Sequence, residues 1–413
     1  MKVAIVSNPR HRRGDLMEFL LLRAMHAFNE VEPADLLIVE GELGEADEGF
    51  LSAFFASAKL RKRSLLPVWL ARNASPLLPA VPERIAVNGV EESPAALVGR
   101  IRAAAGGMFP EFCRAPFETT VAEVAADGTI RTSTIPMVIE PVPGLTDFHI
   151  HTRLAYCGEN IDIPKALEMA KLSNVEMVAF IEHSGHLYFS KEDYRASRYV
   201  WRTRDTASGC AVVNRMAEYE EVVREGAKAG TFLHGFELDV DRNGDVILED
   251  VDRRMAQVRI GAVHHLEERC DSRIADRQFL LCTKALLNYG VHILAHPFRI
   301  FAWAGFPRPK ELYEPVAELL RRSGTAAEIN FHCNFPDPEF FDICIKKGVK
   351  ISFGSDSHNL YEVGFFLPHY RLLAELGVTG RLDEVLYRFP QTPDKGIPGD
   401  ELEPRLKPFS QKR

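Results

Sequence analysis

The sequence has no run of about 18 or more uncharged apolar residues, and so no candidate membrane-spanning helix. It has no surplus of positive charge. The formal net charge is −8, which argues against broad binding of nucleic acid through the phosphate backbone and leaves a local basic patch open. There is no CxxC pair; the seven cysteines are scattered and odd in number, as expected of reduced thiols in a cytosolic protein. The N-terminus, Met1-Lys2-Val3-Ala4-Ile5-Val6, lacks a long apolar core and a small-residue cleavage site. It reads as a first strand rather than a signal peptide, and a cytoplasmic location is expected. What is present is an ordinary globular composition, 46% apolar and 26% charged, over 413 residues, a length that predicts two domains.

Residues 1–106 read as a small α/β domain. Apolar runs at Val3–Ser7, Ala34–Val39, Leu66–Leu70 and Ile85–Val87 alternate with helical spacing over Leu16–Phe28 and Ser93–Ala105. Residues 107–143 read as a β-hairpin bridge, with Asp127-Gly128 turning between two alternating runs. From residue 144 to 388 one theme repeats, a short apolar run followed by a helix-like stretch. The strand candidates are Leu145–His149, Met177–Ile181, Phe232–Leu238, Val258–Val263, His292–Ala295, Ala326–Phe331 and Lys350–Gly354. Several helices end at glycine, as at Gly290, Gly324 and Gly348. This predicts a seven-stranded β/α barrel, whose working residues sit where strands end and loops begin. Residues 389–413, with four prolines, read as an extended tail.

The unusual residues fall at those strand ends. Eleven of the fourteen histidines lie between 149 and 358. The ends carry His149 and His151, then Glu182-His183, Glu237, His264-His265, His296, and Asp356 with His358. His149 and His151, two apart on an extended backbone, point to one face. Imidazole with carboxylate suits Zn, Mn or Fe, and the number of groups exceeds one ion, so two or three divalent metal ions sharing a carboxylate are expected.

These segments resemble the PHP family, named for polymerase and histidinol phosphatase. The motifs stand as Asp147-Phe148-His149-Ile150-His151-Thr152, Ile181-Glu182-His183-Ser184, Gly235-Phe236-Glu237, Gly261-Ala262-Val263-His264, Leu294-Ala295-His296-Pro297 and Gly354-Ser355-Asp356-Ser357-His358. The resemblance covers residues 145 to about 370 and implies a distorted seven-stranded barrel with a trinuclear site. It implies one metal held by His149, His151, Glu237 and Asp356, and a second held by Glu237, His264 and His296. The third would take His183 and His358 with one ligand from the loop after His151. There this chain departs from the family pattern by carrying Cys157, either a thiolate ligand or a small buried thiol. The first domain resembles the start of a calcineurin-like metallophosphoesterase, with Asn8-Pro9-Arg10, Gly41-Glu42 and Arg72-Asn73-Ala74-Ser75 where that family has metal ligands. The resemblance implies a metal-free domain; an unrelated α/β domain is the alternative.

The expected activity is hydrolysis of a small phosphorylated metabolite by a metal-bound hydroxide, with Glu237, Asp356 and Arg299 as the residues that carry the chemistry. Arg195, Arg198 and Arg202, interleaved with Tyr188, Tyr194, Tyr199 and Trp201, read either as a solvated face or as a substrate lid offering cations to phosphate, as does Arg299. The alternatives are a phosphodiesterase or nuclease acting on nucleotides or nucleic-acid ends, and a non-catalytic metal-binding scaffold. No membrane partner is expected, and nothing in the sequence indicates an oligomeric state.

Overall fold

The structure, a computed structural model, describes residues 1–7, 14–31, 33–41, 66–70, 82–201, 213–266 and 271–389. The chain divides into two compact units, Met1–Glu140 and Pro141–Arg413.

In the first unit the apolar runs form β1 (Lys2–Ser7), β2 (Leu36–Glu40) and β3 (Leu66–Leu70), paired in parallel. β4 (Ile85–Val87) and β5 (Val90–Glu92) pair only with each other. The helix Pro94–Ala104 follows, with the Ser93 side chain accepting from the Ala96 N–H and proline in its first turn. β6 (Glu118–Val124) and β7 (Ile130–Pro136) form the expected hairpin around Asp127-Gly128. They do not stand as a bridge. β6 pairs antiparallel with the free edge of β1, giving one five-stranded sheet in the order β3-β2-β1-β6-β7, and the unit boundary falls after Glu140. A hairpin's own sequence specifies its turn, not the strand whose edge it will extend. Val3, Ile5, Leu36, Ile38, Leu97, Ile101 and Ala122 fill the core beneath that sheet. The segments likened to metallophosphoesterase ligands lie outside the described residues, apart from Gly41.

The second unit contains β8 (Thr146–Ile150), β9 (Met177–His183), β10 (Leu233–Leu238), β11 (Val258–Gly261), β12 (Ile293–Leu294), β13 (Ala326–Ile329) and β14 (Ile351–Phe353). All seven are parallel, in neighbour order from β8 to β14. Each lies within a residue or two of an expected strand. Helices Ile163–Leu172, Met216–Gly226, Ser272–Tyr289, Tyr313–Ser323 and Pro338–Lys346 occupy the connections, and only the β10–β11 connection carries a single turn, Arg253–Met255, in place of an α-helix. Asp162, Asp271 and Asp337 cap three of these helices through their carboxylates.

Parallel strands joined by helices give a barrel-like sheet whose open seam must be tied. Here the tie lies just beyond the strands. Ile150 bridges Ser357, the His151 N–H donates to the Ser357 carbonyl at 3.0 Å, and the Ser357 N–H donates to that of His149 at 3.2 Å. The buried Asp147 carboxylate adds three bonds, accepting from the N–H groups of Ser355 (3.0 Å), Gly364 (3.0 Å) and His149 (3.3 Å). Asp147 therefore joins the first strand to the segment after the last. Among the described residues no helix is long and apolar enough to cross a membrane.

Candidate metal centre

The inner face of the barrel is apolar, and the polar residues sit on its upper end by simple alternation. Ala179 and Ile181 of β9 pack inside, and His183 is the next residue on that face. Val258, Ile260 and Ala262 are followed by His264, and Ala326 by Glu328. On β10 the same alternation carries Leu233 and Gly235 up to Glu237 and then Asp239. β8 departs from even alternation through a register shift between Asp147 and Ile150. Such an irregularity re-aims side chains, and here it delivers both His149 and His151 to the cluster.

Glu237 is the centre of the constellation and is fully buried. Its Oε2 faces His183 Nδ1 at 2.8 Å, His149 Nε2 at 3.3 Å and His151 Nε2 at 3.6 Å. Its Oε1 faces His296 Nε2 at 2.9 Å and His264 Nε2 at 3.1 Å. Asp356 Oδ1 lies 3.0 Å from His151 Nε2 and 3.5 Å from His149 Nε2. Two ligand atoms each about 2.1 Å from one ion, at angles between octahedral and tetrahedral, stand roughly 3.0–3.4 Å apart. The observed spacings cluster around that range. His149, His151 and Glu237 form one group able to hold a metal ion; Glu237, His264 and His296 form another; and His151, His183 and His358 form a third. The buried atoms His149 Nε2, His151 Nδ1, His183 Nδ1 and Glu237 Oε2 have no hydrogen-bond partner. Buried polar atoms are rarely left so, and shared cations would satisfy these.

The outer ring nitrogens are held by acceptors. His149 Nδ1 lies 2.8 Å from Glu328 Oε1, His264 Nδ1 lies 2.7 Å from Asp239 Oδ1, and His358 Nδ1 lies 2.7 Å from the Asp356 carbonyl. An acceptor at Nδ1 places the proton there and leaves Nε2 as the lone-pair nitrogen. Arg299 can only donate, and its Nη2 lies 2.7 Å from His296 Nε2, so that nitrogen also carries a lone pair. Gly354 allows this ring of support to close. A Cβ there would stand 1.9 Å from Glu328 Oε1 and 2.9 Å from the His149 Cβ. His296 and Asp356 both have positive φ, 30° and 53°, which side chains rarely adopt and which often marks functional positions.

The electrostatics follow from this mutual burial. Burial opposes charge on His149, yet Asp356, Glu328 and Glu237 together hold its pKa well above the ordinary imidazole value. Burial likewise opposes charge on Glu237 and Asp356. For Glu237, His183, His149 and His264 outweigh it; for Asp356, His149 and Arg299 do. Both carboxylates are held well below their usual range. Burial and the Arg299 guanidinium push His296 down to about 3, so it stays a neutral ligand.

The remaining predicted residues divide. Arg299 is buried, donates from Nη1 to Asp356 Oδ2 at 2.7 Å, and stacks on Trp303 with its guanidinium carbon 4.4 Å from the ring centre. Cys157 lies on the exposed edge, its Sγ 3.8 Å from His183 Nε2; partial desolvation raises its pKa, but His183 and His358 bring it down to about 6. It is therefore not the buried thiol of the second expectation. The arginine lid is not assembled as expected. Arg195 is exposed, Arg198 pairs with Asp193 at 2.6 Å, and Arg202 lies outside the described residues. The tyrosines of that segment turn inward instead, with Tyr194 4.2 Å from the His186 ring and stacked on Tyr199 at 5.0 Å. Glu182 accepts from the N–H and hydroxyl of Thr152, both at 2.7 Å, and so supports the strand end beside His183.

Asp239 and Glu328 were not foreseen. Asp239 follows Glu237 by two on one strand, so alternation alone could have placed it on the same face. Glu328 is a lone acid within a buried run, and its partner His149 is 179 residues away in sequence. No protein-family model and no curated protein matches this chain.

Proposed function

We propose that the second unit is a metal-dependent phosphoric ester hydrolase acting on a small phosphorylated molecule, with phosphomonoesters favoured. The observation that carries this reading is the double-faced Glu237, whose two oxygens each converge on a different set of histidines. A carboxylate so placed is suited to being shared between two cations. The residues that would hold them are His149, His151, Glu237 and Asp356 on one side, and Glu237, His264 and His296 on the other. Bound there, divalent ions supply Lewis acidity that makes water a nucleophile near neutral pH and draws charge from phosphoryl oxygens.

The chain's own residues supply the rest. Glu328 and Asp239 fix the tautomers of His149 and His264, so lone pairs point inward without rearrangement. Arg299 is held by Asp356 and Trp303 at the edge of the cluster, where its remaining N–H groups suit a phosphoryl oxygen. The motif order shared with the PHP family supports the same chemistry. The test is elemental analysis together with hydrolysis of p-nitrophenyl phosphate and its bis ester, on wild type and Glu237→Gln. Two or three equivalents of Zn, Mn or Fe with activity lost in the variant are expected, and the preferred ester separates monoesterase from diesterase. A protein that binds no ion under any reconstitution refutes the reading.

A further inference from the structure

Cys157 stands at the only exposed edge of a set of otherwise buried ligand-type residues around His183. Cys157, His183 and His186 have ligand atoms within 4.8 Å of one another, as do His151, His183 and His358, so the two groups meet at His183. Hydrogen bonding decides which neighbours can ligate. His186 Nδ1 accepts the Tyr156 N–H at 3.2 Å, so its other nitrogen keeps the proton and acts as a donor. His358 has the opposite arrangement, with Nδ1–H on the Asp356 carbonyl and a lone pair at Nε2. The thiol lies within reach of both His183 and His358, whose ring centres are 6.4 Å apart. The distances also fit. A sulfur about 2.3 Å and a nitrogen about 2.05 Å from one tetrahedral ion stand roughly 3.6 Å apart; Sγ and Nε2 here are 3.8 Å apart.

We propose that Cys157, His183 and His358 form a thiolate corner of the metal centre that takes a thiophilic divalent ion, zinc or iron(II). It excludes His186 and rests on the metal-dependent reading above. A soft thiolate favours these ions over manganese or magnesium, so this corner differs in selectivity from the all-oxygen-and-nitrogen groups around Glu237. On binding, the thiol proton leaves to solvent and the sulfur lone pair takes its place on the ion. Because Cys157 is exposed while its partners are buried, this corner is also where the ion enters and where an alkylating agent reaches the site.

The test uses the full chain stripped by chelator and reloaded with Co²⁺. Wild type is expected to show a sulfur-to-cobalt charge-transfer band in the near ultraviolet. Cys157→Ser is expected to lose that band together with one equivalent of bound ion, while His186→Gln keeps both. Alkylation of Cys157 by iodoacetamide, followed by mass spectrometry, should slow at least tenfold on loading, a readout that needs no variant to fold. Full cobalt loading without the band, or without protection of Cys157, overturns the thiolate corner and leaves the Glu237 groups standing. Absence of any bound cobalt overturns both proposals.

Discussion

Replacing Glu328 by glutamine tests whether the candidate centre depends on orientation as well as on the ligands themselves. Glu328 has one acceptor for each of two donors: Oε1 takes His149 Nδ1–H at 2.8 Å and Oε2 takes the His296 N–H at 2.8 Å, with Asn330 Nδ2 at 3.1 Å also on Oε2. Glutamine fills the same volume but offers only one acceptor. Its amide nitrogen must then face either the imidazole N–H or the backbone N–H, donor against donor, in a fully buried site. If it faces His149, the imidazole is driven to the other tautomer, the proton moves to Nε2, and the lone pair aimed at Glu237 is lost. If it faces His296, a buried backbone donor is left unpaired at a cost of about 1–3 kcal/mol. Losing an outer-shell partner of a metal-binding histidine typically weakens metal affinity about 10–100-fold. We expect Glu328→Gln to weaken ion binding by that factor in a chelator-competition titration and to lower the unfolding free energy in urea by about 1–3 kcal/mol. Unchanged ion affinity in Glu328→Gln, measured beside a Glu237→Gln control that loses its ions, would refute the claim that the tautomer of His149 is held by Glu328.

Asp147→Ala removes the acceptor for three buried N–H groups across the barrel seam and should cost at least about 2 kcal/mol in urea unfolding, with metal content falling as the seam loosens. His149 and His183 hold protons above the ordinary imidazole range, so ion binding must displace them. Calorimetry in buffers of different ionisation enthalpy should show proton release, and affinity should rise with pH through neutrality; pH-independent affinity contradicts the assignment. In the chelated protein the same two groups stabilise the fold fully below about pH 6.5, and that contribution is lost as pH rises through their raised values. Arg299→Ala should lower kcat/KM for phosphomonoesters at least tenfold, whereas Arg198→Ala, which loses only a surface pair with Asp193, should leave it within a factor of two.

The sequence located the barrel strands and most of the centre because both are local properties. Alternating apolar runs gave each strand to within a residue or two, and ligand-type residues at their ends marked the face, because a parallel β/α array directs every strand end to one side. The same local pattern missed Glu328, since a single acid in the buried run Ala326–Ile329 has no neighbour in sequence to show its purpose. It also overvalued Arg195 and Arg198, where composition suggested a cationic lid but the helix Lys191–Arg195 turns its tyrosine inward and its arginine outward.

What the sequence determined by itself was the kind of strand, the order of the strands and the residue types at their ends. Only the tertiary structure decided which atoms meet. β6 and β7 joined β1 across more than a hundred residues, Asp147 closed the seam on Ser355, and Glu328 came under His149 through a gap that only Gly354 leaves open. The reason is physical. Strand character depends on neighbours one and two residues away, whereas edge pairing, tautomer and shared coordination depend on groups that approach only when the chain is folded.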